Sequence, residues 1–193
     1  SGLLVNAIYK DSEGFVWLGT DNCLDRFDGV KVRHYEFRGV DSGRKKRVNC
    51  ITETADDQLW VGNGIGLWRL NRANGQLERI VPEKIDFAVN TLLPDGDILY
   101  IGTEKGLFIQ KDGQLLQVLT DRNMLAACNR IMDLCLNEDK SALWLATVQG
   151  LFSYSLKDGK IDSWHFQENV PEADYFRCLT RIGETLYLGT MSQ

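Results

Sequence analysis

The residues able to do chemistry are few and unevenly placed. Arg44, Lys45, Lys46 and Arg47 form a run, with Arg38 nearby, and are the one concentration of positive charge in a chain of net charge −5. Guanidinium groups grip carboxylate or sulfate through paired hydrogen bonds, so the run fits an acidic glycan. A solvated loop is the plainer reading of such a run and stands beside it. Trp164, His165 and Tyr175, with Arg177 two residues on, offer flat faces suited to sugar stacking, although Trp164 is equally suited to closing a sheet. His34 and His165 are the only histidines, far apart and without a motif partner, so a structural role is expected for both. Five cysteines give an odd count with no CxxC pair and no histidine at zinc spacing. Cys50 and Cys178 occupy equivalent strand positions and are expected to be small buried apolar side chains. No catalytic residue, metal ligand or cofactor is expected.

These residues are carried by a repeat. The phrases FVWLGT (15–20), QLWVGN (58–63), ILYIGT (98–103), ALWLAT (142–147) and TLYLGT (185–190) place aromatic anchors at Trp17, Trp60, Tyr100, Trp144 and Tyr187, spaced by 43, 40, 44 and 43 residues. That period is one four-stranded propeller blade. An Asn in an apolar frame precedes the anchor in VNAI, VNCI, VNTL and CNRI, at Asn6, Asn49, Asn90 and Asn129, and Arg177 holds that place in the fifth unit. Recurrence in nearly every unit makes these Asn residues loop caps before ligands. Each phrase leads to Leu24, Leu67, Leu107 or Leu151, preceded by Gly66, Gly106 and Gly150 but by Cys23 in the first unit. Asp-Gly or Asn-Gly turns follow at Asp28, Asn74, Asp112 and Asp158, so each unit has four strands.

Both faces of FVWLGT are largely apolar, which requires cover on two sides. A propeller supplies it by packing each sheet between two neighbours, and an aromatic on one blade is expected to fit over a glycine on the next. The anchors are therefore read as structural wedges. The expected fold is all-β: a partial β-propeller of four full four-stranded blades plus half of a fifth, in one domain over 1–193. The blades fall at about 5–38, 48–81, 89–120, 128–166 and 176–193. An open arc would expose apolar faces, so self-association of the chain is expected. The first strand's entry loop and the loop leaving the second strand share one end of each blade, the expected ligand mouth.

The composition, 44% apolar and 25% charged, is ordinary for a globular chain. The net negative charge argues against nucleic-acid binding. No apolar run reaches the roughly 18 residues of a membrane span, and no signal peptide is expected at the N-terminus.

The stretch VNAIYKDSEGFVWLGTDNCLDRFDG (5–29), echoed by NGIGLWRLNRANGQL and GTEKGLFIQKDGQL, resembles the two-component regulator propeller repeat. The resemblance covers nearly the whole chain. It implies part of a seven-bladed ring in the periplasmic sensor region of a Bacteroidetes hybrid two-component system, anchored in the inner membrane. It also implies a histidine kinase elsewhere in the polypeptide, an oligosaccharide as ligand, and the remaining blades of the same polypeptide as neighbours. Against that pattern, Cys23 replaces a Gly at about 1 kcal/mol if φ is positive. Asn63 replaces Thr, Ala146 replaces Gly, and an insertion between Asn129 and Trp144 predicts a longer first hairpin in the fourth unit.

Two other functions compete. DSEGFVW is similar to the Asp-box turn of propeller sialidases, but hydrolysis needs paired carboxylates or a Tyr nucleophile with an Arg cluster, and nothing groups Glu104, Asp121 and Arg177. A WD-type interaction scaffold would show Trp-Asp endings and Gly-His openings, which this chain lacks.

Overall fold

The computed structural model describes residues 4–40, 46–80, 83–119, 130–164 and 175–190. The first sheet holds β1 (Val5–Lys10), β2 (Val16–Thr20), β3 (Cys23–Phe27) and β4 (Val32–Glu36); the second holds β5 (Val48–Glu53), β6 (Leu59–Asn63), β7 (Gly66–Asn71) and β8 (Gln76–Ile80). The third holds β9 (Val89–Asp95), β10 (Ile98–Thr103), β11 (Gly106–Lys111) and β12 (Gln114–Gln117); the fourth holds β13 (Ile131–Leu136), β14 (Ala142–Thr147), β15 (Gly150–Ser155) and β16 (Ile161–Trp164). A hairpin of β17 (Phe176–Ile182) and β18 (Thr185–Thr190) ends the series. Within each sheet the strands lie in chain order. This is an all-β, partial β-propeller fold. The turns follow from their residues: Asp28 accepts the Val30 and Lys31 N–H groups at 2.9 and 2.7 Å, and Gly29 takes φ +97°. Those N–H groups, Lys31's first, hold the Asp28 carboxyl below its usual range.

The chain forms two compact units, 1–99 and 100–193, with the boundary in the third sheet's first hairpin. In the first unit a valine, and not the expected aromatic, sits over each glycine, because the strands approach too closely to admit a ring: Gly19 on β2 lies under Val48 of β5, and Gly62 on β6 lies under Val89 of β9. A Cβ on Gly19 would stand 2.8 Å from Val48 Cβ, and one on Gly62 would stand 2.6 Å from Val89 Cγ1 and against Cys50 Sγ. Neither glycine has a positive φ, so it is the close approach of the next strand that excludes a side chain. Around these contacts Trp17, Leu24, Tyr35, Phe37, Val48 and Trp68 form one core with their neighbours. Tyr35 covers Trp17 at 5.2 Å between ring centroids. The buried indole N–H of Trp17 donates to Asp11 Oδ2 at 2.7 Å, and Oδ1 of the same carboxylate takes the Phe15 N–H at 2.8 Å. Trp60 donates to Thr54 Oγ1 at 3.1 Å in the equivalent turn.

In the second unit Ala146 takes the glycine place and packs in a cluster with Leu151, Phe176 and Leu179. Asp133 on β13 ties the next strand, its Oδ2 accepting the Leu179 N–H at 2.9 Å.

The structure corrects four further expectations. Cys23 has no positive φ, whereas Gly66, Gly106 and Gly150 lie at +145°, +112° and +139°; the first unit's loop has a different backbone there, and Cys23 carries no left-handed strain. In the fourth unit the strand aligned with VNAI is IMDL (131–134), not CNRI. β13 breaks register between Ile131 and Asp133, as β1 does between Val5 and Ala7 and β5 between Val48 and Cys50, so Met132 holds the bulge place of Asn6 and Asn49. Its hairpin is, as expected, longer than the first two, by one residue, since Leu136 pairs with Leu143 where Lys10 pairs with Val16 and Glu53 with Leu59. Cys178 is exposed and Cys50 half-buried, because each thiol lies over the glycine of its own hairpin, Gly189 and Gly62, rather than inside the core. Tyr187 is 53% exposed. The other anchors show why: Tyr35 on β4 covers Trp17, and Trp164 on β16 meets Trp144 edge-on at 5.6 Å, but β17 and β18 have no third and fourth strands beside them among the described residues.

Adding one methyl at a notch therefore has a defined cost. Gly62→Ala is expected to destabilise the chain by about 1–3 kcal/mol through overpacking against Val89 and Cys50. The urea midpoint checks this, and Cys50→Ala in the same chain should recover part of the loss.

Candidate functional site

The antiparallel order of β2, β3 and β4 puts the β2–β3 loop and the segment after β4 at the same end of the first sheet. There a cavity of about 680 Å³ is lined by Asn22, Cys23, Glu36, Arg38, Val40 and Lys46, among others. Phe37 forms its floor, 2% exposed and edge-on to Trp68 at 5.0 Å. Lys46 Nζ donates to the Phe37 carbonyl at 3.3 Å, and Arg38 lies 3.8 Å from Glu36. Among the described residues the cavity wall thus carries two cations and one carboxylate.

The loop itself is built by the Thr that ends each phrase. Thr20 Oγ1 donates to the Cys23 carbonyl at 3.0 Å and accepts the Cys23 N–H at 3.1 Å. Thr103 and Thr147 repeat the donation to Gly106 and Gly150 at 2.8 Å. Asn63, in the Thr place, accepts the Ile65 N–H at 3.0 Å and the Trp68 indole N–H at 3.1 Å.

Of the residues singled out for the basic run, Lys46 lines this cavity and Arg47 is exposed, its carbonyl accepting the Gly64 N–H at 3.0 Å. Arg44 and Lys45 lie outside the described residues. In the second unit Trp164 is 49% exposed at the end of β16, resting its edge on Trp144; Tyr175 is half-buried, and Arg177 is exposed at the bulge of β17. His165 and Asp121 lie outside the described residues, and Glu104 faces Arg130 at 3.8 Å. At the bulges, Asn6 Nδ2 donates to Asp21 Oδ1 and Asn49 Nδ2 to the Val89 carbonyl, each at 2.9 Å, so Asn49 bridges to the following strand and Asn6 ties the β2–β3 loop.

One cluster was not visible in the sequence. Cys23, Asp25 and His34 bring Sγ, a carboxylate oxygen and a ring nitrogen within 4.8 Å of one another. Asp25 and His34 sit directly opposite on β3 and β4, and Cys23 is two residues from Asp25 on the same strand face.

Comparison with known proteins gives a short family match and a shared fold. The profile of the family described as two component regulator propeller matches residues 1–22. Among solved structures, the fold is shared with the extracellular domain of the hybrid two component system BT4673 from B. thetaiotaomicron, at 24% identity and TM-score 0.78, covering 96% of this chain and 26% of that one. It is shared too with the extracellular domain of BT3049 from the same organism, at 21% identity and TM-score 0.79, covering 98% and 28%. Virginiamycin B lyase from Staphylococcus aureus matches at 16% identity and TM-score 0.74, over 95% of this chain and 62% of that one. No curated protein sequence matches. The chain spans about a quarter of the length of the two B. thetaiotaomicron domains.

The cavity floor can be tested directly. Phe37→Ala is expected to lower stability by about 3–5 kcal/mol, as a buried aromatic truncated in a packed core does. Chemical denaturation followed by Trp fluorescence measures the loss, and it should exceed that of Val40→Ala at the half-buried cavity wall.

Proposed function

We propose that this chain is part of the extracytoplasmic sensing region of a hybrid two-component regulator, where it helps recognise an oligosaccharide and passes the signal on by conformational change. The fold shared with two B. thetaiotaomicron extracellular domains carries this reading, supported by the family match at residues 1–22. In this reading the protein is periplasmic and held by an inner-membrane anchor elsewhere in the polypeptide, and kinase chemistry lies outside these residues. The four sheets and the final hairpin serve as blades, with boundaries near 5–38, 48–81, 89–120, 128–166 and 176–193, in a ring completed by further blades.

The ligand side chains of the proposal are the basic run Arg44 to Arg47 and the group Trp164, His165, Tyr175 and Arg177. The cavity beside Lys46 and Arg38 supports the first, because two cations at the rim of a concave site suit a uronate or sulfate group. Calorimetry of sulfated and uronate-containing oligosaccharides against a complete propeller carrying these residues is expected to show binding without turnover. Arg38→Met with Lys46→Met should weaken it at least tenfold, the order of one lost charged hydrogen bond. Equal binding by the variant would remove the cavity from the proposal, and hydrolysis of the sugar would replace a sensor with an enzyme.

Further blades also explain an exposed face. Val5 and Ile8 on β1 are 51% and 71% exposed, while their equivalents Val48 and Ile51 are 0% and 9% exposed beneath the first sheet. The missing neighbour would be another blade, and in the isolated chain a second copy. Sedimentation of the 193-residue chain is expected to show self-association that Val5→Lys with Ile8→Lys reduces; a wild-type chain that stays monomeric would count against it.

A further inference from the structure

We infer that Cys23, Asp25 and His34 form a binding site for a zinc-class divalent cation on the first sheet. The repeat itself shows how unusual this triad is. In the other three sheets the third strand opens Gly-Leu-aromatic, as Gly66-Leu67-Trp68, Gly106-Leu107-Phe108 and Gly150-Leu151-Phe152, and the aromatic rings are 1%, 2% and 4% exposed. Arg79, Gln117 and Ser163 stand across from those rings. The first sheet instead reads Cys23-Leu24-Asp25 with His34 across from Asp25. Three positions that elsewhere hold a glycine, an apolar plug and a varied partner hold a thiol, a carboxylate and an imidazole. The backbone has changed to suit: Cys23 avoids the positive φ of Gly66, Gly106 and Gly150 and so admits a side chain.

The distances fit a metal. His34 Nδ1 lies 2.7 Å from Asp25 Oδ1, and Cys23 Sγ lies 3.4 Å from the same oxygen. A tetrahedral zinc with bonds of about 2.0 Å to N and O and about 2.3 Å to S places its donors roughly 3.3–3.5 Å apart, so small side-chain rotations open the site. The Asp25 side chain is 6% exposed, and its ion-pair partner among the described residues is His34, itself 56% exposed. A buried carboxylate needs a counter-charge, and a divalent cation supplies it with the imidazole neutral. On binding, the Cys23 thiol releases its proton to solvent. Nδ1 then coordinates through its lone pair, its ring proton resides on Nε2, and the Nδ1 to Asp25 hydrogen bond is given up. Three protein donors leave a fourth position for water. Thiolate and imidazole select zinc, cobalt(II) or copper over calcium and magnesium.

The test is a Co²⁺ titration of the reduced 193-residue chain, followed by Zn²⁺ displacement. One equivalent with a thiolate-to-cobalt charge-transfer band and tetrahedral visible bands is expected. Cys23→Ser should abolish the charge-transfer band, and His34→Ala should weaken binding by more than the ~10–100-fold cost of losing an outer-shell partner. Cys50→Ala and Cys178→Ala should leave both unchanged. Saturating Zn²⁺ should raise the Tm of the wild type and not that of Cys23→Ser. No band in the wild type, a band that persists in Cys23→Ser, or a Tm indifferent to Zn²⁺ would reduce the triad to a hydrogen-bonded brace between β3 and β4.

Discussion

The seating of a branched side chain of one sheet over a glycine of the sheet before it is the constraint on which the rest depends. Gly19 under Val48 and Gly62 under Val89 let two strands approach closer than any Cβ permits. That approach goes with the burial of Trp17 and Trp60, and it accounts for the aromatic-x-Gly order in four of the five phrases. Where Ala146 replaces the glycine, Phe176 replaces the valine in the cluster beyond it, so notch and knob vary together. The indole N–H groups could not be buried without acceptors. Asp11 and Thr54, six residues before their tryptophans, provide them from the hairpin turn, so the turn sequence and the anchor are parts of one interaction.

Because the constraint repeats, most of the fold was legible. Anchor spacing gave the sheet count, and the Asp-Gly turns gave the outer hairpins. The fourth unit failed for a physical reason: Asn129 matched the letter of the repeat, but a bulge is defined by register and not by the residue that occupies it. Ile131 and Leu134, 0% and 5% exposed, carry the apolar frame, and Met132 tolerates the bulge without any hydrogen-bonding role of an Asn. Tyr187 failed because the phrase specifies a ring that needs cover, while the cover itself comes from third and fourth strands that the phrase does not encode. The strain assigned to Cys23 assumed that its backbone copies Gly66, whereas the side chain and the loop changed together.

The site was less legible, for a different reason. Lys46 could be picked out as charge, yet its contact with the Phe37 carbonyl and its place in one cavity with Arg38 are tertiary features that charge does not specify. Trp164 shows the limit of composition more sharply. The same ring is half-exposed, as a sugar platform would be, and edge-on to Trp144, as a blade closure would be, and no sequence pattern separates the two. The triad of Cys23, Asp25 and His34 was missed because zinc motifs are read along the chain, whereas these donors converge across it. A spacing of two on β3 and a directly opposed residue on β4 is a strand-pair geometry, and it becomes visible only once the register is known.

A repeat fold divides its residues into those the stacking requires and those it leaves open, and this chain shows how the division can be read. Positions that must be glycine, aromatic or branched apolar recur, so a recurring residue is explained by packing before any ligand is invoked. Departures fall into two kinds. Some restore the same packing by another route, as Asn63 does when it replaces a Thr and still organises its loop while also holding the Trp68 indole. Others give up packing that neighbouring units keep: Asp25 surrenders the burial of an aromatic ring that Trp68, Phe108 and Phe152 each retain, a term of several kcal/mol in a core. A loss of that size in one unit, matched by two further ligand-type residues at the adjoining positions, is better explained by a bound cation than by drift, since drift does not select a thiol, a carboxylate and an imidazole on one face.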